Sequence, residues 1–74
     1  FAFAYNNRGN LKENLKDYEG AISDYTKAIE INPNYAVAYN NRGISKRILK
    51  QNYCTDFKKA CDLGYCGSYN ELCK

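Results

Sequence analysis

The chain has 74 residues, eleven Lys plus Arg against eight Asp plus Glu, and a net charge of +3. That is shorter than a typical domain of about 100–150 residues, so the sequence has room for one small unit spanning 1–74. No basic cluster exceeds Lys58-Lys59 and no apolar run nears the roughly 18 residues of a membrane span, so neither a nucleic-acid footprint nor a membrane segment is expected.

Repeat one is read over residues 2–35. Ala4, Leu11 and Leu15 keep to one side of a helix expected near Phe3–Leu15. Within it lies Tyr-Asn-Asn-Arg-Gly at Tyr5–Gly9, and the same phrase returns 34 residues later at Tyr39–Gly43. A fixed period in the range of roughly 20–50 residues marks stacked repeats. Asp17 is a fitting cap for a second helix near Tyr18–Ile31. That helix carries Tyr18, Ala21, Ile22, Tyr25, Ala28 and Ile29 at steps of three and four, one continuous apolar stripe. Asn32-Pro33-Asn34 then ends the unit, because proline cannot continue a helix. Gly9 sits inside a helix, where glycine costs about 1 kcal/mol against alanine. Gly9, Gly43, Ala21 and Ala28 are therefore expected to line a contact seam, with Tyr5 and Tyr25 filling the space around it.

Repeat two, over 36–66, opens with a helix near Tyr35–Leu49. Its second helix, near Tyr53–Leu63, starts early in register. Leu15 to Asp24 is nine residues, whereas Leu49 to Asp56 is seven, so the inter-helix turn is expected to be two residues shorter. On that alignment Tyr53 falls at the place of Ala21, Cys54 of Ile22, Phe57 of Tyr25, Ala60 of Ala28 and Cys61 of Ile29. Tyr53 must then crowd the seam or point elsewhere. Gly64 is expected to end the helix in the left-handed conformation. A last short helix near Ser68–Cys73, within a capping segment 67–74, covers the open end, as stacked repeats require.

Both units pair an arginine with an aspartate at matched places: Arg8 with Asp24, and Arg42 with Asp56. Each is expected to form a structural ion pair at the edge of the seam. The competing use of such an arginine is to grip a ligand carboxylate.

Cys54, Cys61, Cys66 and Cys73 are separated by gaps of seven, five and seven. Seven residues are about 10.5 Å of helical rise, beyond the reach of a disulfide within one helix. In an antiparallel hairpin the equal gaps face each other, and nested pairs Cys61–Cys66 and Cys54–Cys73 are allowed. The other reading is four reduced cysteines acting as small apolar residues, two of them in place of core isoleucines. Reduced thiols would fit the cytoplasm; otherwise the compartment stays open. A four-cysteine zinc site does not fit, since all four sulfurs would have to meet at one point. No metal or other cofactor is expected.

The pattern resembles the tetratricopeptide repeat family. An aromatic, a glycine four residues on, then alanine, aromatic, alanine and proline fall on Tyr5, Gly9, Ala21, Tyr25, Ala28 and Pro33. The match covers repeat one and the first helix of repeat two. Two departures are Lys12, where the family usually has an aromatic, and Arg8, where it usually has leucine. The resemblance implies an all-α array of antiparallel helix-turn-helix repeats in a right-handed superhelix fragment, here two helix pairs plus a C-terminal capping helix. It also implies a protein–protein interaction module that binds a peptide or partner protein on a concave face lined by the first helices. On that face the expected partner-binding residues are Asn6, Asn10 and Glu13 from repeat one and Asn40, Ile44 and Arg47 from repeat two. Some relatives clamp a C-terminal carboxylate, but Asn6 stands where their clamp has lysine. The alternative is a structural unit that ends an array or self-associates through the aromatic edge Phe1-Ala2-Phe3-Ala4-Tyr5, with no peptide ligand. The absence of Met predicts that the chain begins inside a longer protein. There is no His and no nucleophile beside a candidate base, so no catalytic residues are expected and the chain is not read as an enzyme.

Overall fold

The computed structural model describes all 74 residues and contains five helices: α1 (Ala2–Asn14), α2 (Tyr18–Ile31), α3 (Ala36–Ile48), α4 (Cys54–Asp62) and α5 (Gly67–Leu72). It is all-α, built from two antiparallel helix pairs and a short final helix. Each helix packs on the next along the chain, and α1 also touches α3.

The turns carry the chain reversal. α1 ends with Lys16 at φ 65° and α3 with Lys50 at φ 61°, both left-handed. In each, two backbone N–H groups fold back onto the last helical turn: Lys16 onto Glu13 at 2.9 Å and Asp17 onto Lys12 at 2.8 Å in the first, Lys50 onto Arg47 at 3.0 Å and Gln51 onto Lys46 at 2.8 Å in the second. α4 ends in the same way, with Gly64 at φ 104° and the Tyr65 N–H donating to the Ala60 carbonyl at 2.8 Å. Asp17 caps α2 by accepting from the Gly20 N–H at 3.0 Å.

The core is small and made mostly of alanine and two rings. Ala21, Tyr25, Ala28, Ala38, Phe57 and Ala60 are fully buried. Gly9 lies against Tyr25: a Cβ built there would come within 2.6 Å of Tyr25 Cε1. Gly43 lies against Phe57 in the same way, at 2.5 Å from Cε1. The glycines are therefore fixed by the neighbouring ring, which offsets their poor helix propensity.

The shortening in repeat two falls elsewhere than expected. The turn between α3 and α4 is longer than that between α1 and α2, running from Leu49 to Tyr53 rather than from Leu15 to Asp17. The missing residues come from the start of α4, where Asp56 is in the first turn. Tyr53 is thereby left outside the helix. Its ring packs edge-on to Phe57 with centroids 5.6 Å apart.

All four cysteines are paired, Cys54 with Cys73 and Cys61 with Cys66. The reduced reading does not hold, and the cytoplasmic expectation that rested on it loses its basis. The pairing has a clear role. α5 is six residues long and has no buried residue. A helix that short does not persist alone. The crosslinks supply what its packing does not.

Two outcomes follow. Gly9→Ala should lower stability by about 1–3 kcal/mol through overpacking against Tyr25, despite the better helix propensity of alanine; urea unfolding checks it, and an unchanged midpoint would contradict the seam. Reduction with a dithiol should bring amide exchange over residues 67–72 close to the unstructured rate, while α1 to α3 stay protected.

Candidate functional site

Two kinds of polar cluster are built on the seam. The first is a charged triad in each helix pair. Asp24, 2% exposed, accepts from Arg8 at 2.9 Å (Nε to Oδ2) and 2.7 Å (Nη2 to Oδ1). Lys12 Nζ lies 3.1 Å from its Oδ2. Asp56 repeats this with Arg42 at 2.9 and 2.7 Å and Lys46 at 3.4 Å. Both family departures, Arg8 and Lys12, thus serve one buried carboxylate. The two arginines also lie over rings, Arg8 over Tyr5 at 5.3 Å and Arg42 over Tyr39 at 5.7 Å. The hydrogen bonds from Arg8 hold the Asp24 carboxyl below its ordinary range; burial opposes this, and Lys12 adds to it. Hydrogen bonding to Asp24 and Asp56 likewise raises Arg8 and Arg42. The arginines are thus committed to their aspartates as structural pairs.

The second cluster joins the helix pairs. Tyr25 OH faces Asn10 Oδ1 at 2.7 Å and Glu13 Oε1 at 2.8 Å, and shares its single proton between them. The Ser45 hydroxyl donates to the same Glu13 oxygen at 3.2 Å. Asn41 Nδ2 donates to Asn6 Oδ1 and to Asn10 Oδ1, each at 3.2 Å. A continuous network of Ser45, Glu13, Tyr25, Asn10, Asn41 and Asn6 therefore crosses from α1 to α3. Burial, and then the Glu13 carboxylate, push the Tyr25 hydroxyl far above its ordinary pKa, so it stays a neutral donor.

The six residues expected on the partner face divide accordingly. Asn6 and Asn40 are buried, at 4% and 6% exposed. Asn10 is exposed, and Glu13 and Ile44 are half-buried. Arg47 is exposed, with its guanidinium over the Tyr53 ring at 5.9 Å, turned towards the α3–α4 turn. Asn6, Asn10 and Glu13 come together in the network; Ile44 and Arg47 do not join it. Asn40 Oδ1 is buried without a hydrogen-bond partner. Sequence reasoning missed Asn41, Ser45 and the Tyr25 hydroxyl. Asn41 was within reach, since it repeats Asn7 in the doubled phrase. The Tyr25 hydroxyl was not, because the family pattern asks only for an aromatic there. No group of His, Cys, Asp and Glu is arranged to hold a metal.

The Tetratricopeptide repeat family matches residues 2–35, and a second model of the same description matches 24–53. The Protein STIP1 homolog of Dictyostelium discoideum is 36% identical over 99% of the chain. Serine/threonine-protein phosphatase 5 from Homo sapiens, and that from Rattus norvegicus, are 53% identical over 40% of the chain. The chain spans only 14% of the first relative's length and 6% of the other two. The chain belongs to the tetratricopeptide repeat family, which supports its reading as a protein–protein interaction module.

The triad predicts an acid-labile contribution to stability. A carboxyl whose folded pKa is depressed stabilises the fold above its unfolded value, near 3.8 for Asp24, and loses that contribution as pH falls through the folded value. Stability of the wild type should fall as pH is lowered below about 4. Asp24→Asn should be less stable at neutral pH and show a shallower acid limb. Parallel acid limbs in urea titrations of the two proteins would contradict the assignment.

Proposed function

We propose that the chain binds a partner polypeptide on the face where α1 and α3 meet, and reads its backbone with amides. The observation that carries this reading is Asn41 bridging Asn6 and Asn10 across the two first helices while Asn10 stays exposed. An asparagine offers both a donor and an acceptor, which suits the N–H and C=O groups of an extended segment. Asn10 Oδ1 is held by Tyr25 and Asn41, so its Nδ2 is oriented before a ligand arrives, which lowers the ordering cost of binding.

In this reading Asn10 and Asn41 make the polar contacts and Ile44 an apolar one. Asn6 and Glu13 act from beneath by orienting them. Asn40 is buried and Arg47 lies over Tyr53, so neither is given a contact in this reading. Terminal-carboxylate capture is not the mode proposed: Asn6 holds the clamp's lysine place, and Arg8, Lys12, Arg42 and Lys46 are spent on Asp24 and Asp56. The role is that of a binding module with no chemistry of its own.

Peptides selected by display against the wild type supply the test. The Asn10→Ala, Asn41→Ala double variant should weaken them about tenfold, the size of one or two lost hydrogen bonds. Lys58→Ala, on α4, should leave them unchanged. Amidation of the peptide C-terminus should change affinity by less than about twofold. Binders indifferent to the double variant would sink the groove, and binders lost on amidation would replace backbone reading with carboxylate capture.

A further inference from the structure

Glu13 is the single acidic residue on α1 and α3, and its charge is left uncompensated. Its Oε1 accepts from the Tyr25 hydroxyl at 2.8 Å and from the Ser45 hydroxyl at 3.2 Å. Both donors are neutral, so they orient the carboxylate without cancelling its charge. Oε2 makes no hydrogen bond within the chain. It is open to solvent, because the one buried side-chain oxygen without a partner is Asn40 Oδ1.

Cations are not scarce nearby. α1 and α3 carry Arg8, Lys12, Arg42, Lys46 and Arg47. The first four turn across the seam to Asp24 and Asp56. Arg47 lies over the Tyr53 ring. Asp24 and Asp56 thus meet two cations apiece, and even the exposed Glu30 and Asp62 meet one. Glu13 enters no ion pair, although Lys12 is next to it in sequence.

A half-buried carboxylate loses part of its hydration and here gains no countercharge. Its complement is an ammonium or guanidinium that donates to Oε2 in a charge-assisted bond. The adjoining surface suits the stem of such a group. Ile44 lies one helical turn beyond Asn41 on the same side of α3 and is half-buried. Lysine and arginine lay their methylene groups on apolar surface of this kind while the charged head reaches a polar atom. We infer that the partner polypeptide carries a lysine or arginine side chain that donates to Glu13 Oε2, with its stem against Ile44. Resting on the groove proposed above, this contact adds a charge requirement to the reading of the backbone. It also rejects acidic segments, whose carboxylates would meet Glu13 unfavourably.

Peptides selected by display against the wild type are the probes, with dissociation constants read by calorimetry at one salt concentration, since salt screens the pair. The selected pool should be enriched in Lys or Arg at one place. A binder with lysine there is compared with a copy carrying norleucine, which keeps the stem and drops the charge. The norleucine copy should bind the wild type about tenfold more weakly, the size of one charge-assisted hydrogen bond. Glu13→Gln should weaken the lysine peptide by a similar factor, because the amide keeps an oxygen for Tyr25 and Ser45 and puts a donor in place of Oε2. The norleucine copy should bind both proteins equally, which shows the variant to be folded. A pool without that enrichment, or lysine and norleucine peptides that bind the wild type alike, would overturn the contact. So would a loss on Glu13→Gln that is equal for the two peptides, which would leave Glu13 a structural role only. Binders weakened by Asn10→Ala, Asn41→Ala yet indifferent to Glu13→Gln would keep the groove and remove the cation. Binders indifferent to both would remove the groove as well.

Discussion

The close approach of ring to backbone at Gly9–Tyr25 and Gly43–Phe57 sets how closely the two helices of each pair lie. A side chain at either glycine would overlap the facing ring. With the rings seated, small alanines can fill the rest of the seam. The core is then too thin to bury long side chains, so polar groups come within hydrogen-bond reach of it. Tyr25 shows the coupling most directly. Its ring fills the space above Gly9, and its hydroxyl is delivered to Asn10 and Glu13. One residue both packs the pair and fixes the orientation of the face beside it.

The buried carboxylates follow from the same geometry. Asp24 and Asp56 adjoin the seam rings in sequence and are as inaccessible as the core. A lone carboxylate there would carry a desolvation penalty of several kcal/mol. Two cations meet each one, a forked arginine and a lysine one helical turn further on. Arginine supplies directed bonds and lysine supplies charge. The departures from the family pattern at Arg8 and Lys12 are therefore two parts of one substitution. A polar triad stands where the family usually has apolar packing, and it is made twice because the helix pair is made twice.

Much of this was legible in the sequence, and the reasons are physical. The doubled phrase, the apolar steps of three and four, Asp17 and Pro33 act locally, and they fixed the helices to within a residue or so. The Arg–Asp pairs were readable because they recur at matched places. The α3–α4 turn was misjudged because a two-residue deficit in sequence does not say whether turn or helix gives way. Here the helix did, since the left-handed turn at Lys50 is kept just as at Lys16. The state of the cysteines hung on whether the last segment runs back along α4, which spacing permits without requiring. The burial of Asn6 and Asn40 was hidden for another reason. Helical periodicity assigns a residue to a face, while burial depends on how closely the next helix lies over that face.

The shortened α4 and the paired cysteines belong to one arrangement. α4 begins only two residues before Asp56, whereas α2 begins six before Asp24. The lost turn removes packing area from the end of the molecule that has no helix of full length to lean on. Cys54 and Cys61 occupy the stripe that on α2 holds Ile22 and Ile29, so the places that make non-covalent contacts in repeat one make covalent ones in repeat two. A crosslink acts chiefly by restricting the unfolded chain, and so it can hold a segment whose folded contacts are few. This is why α5 can be six residues long with nothing buried and still complete the fold.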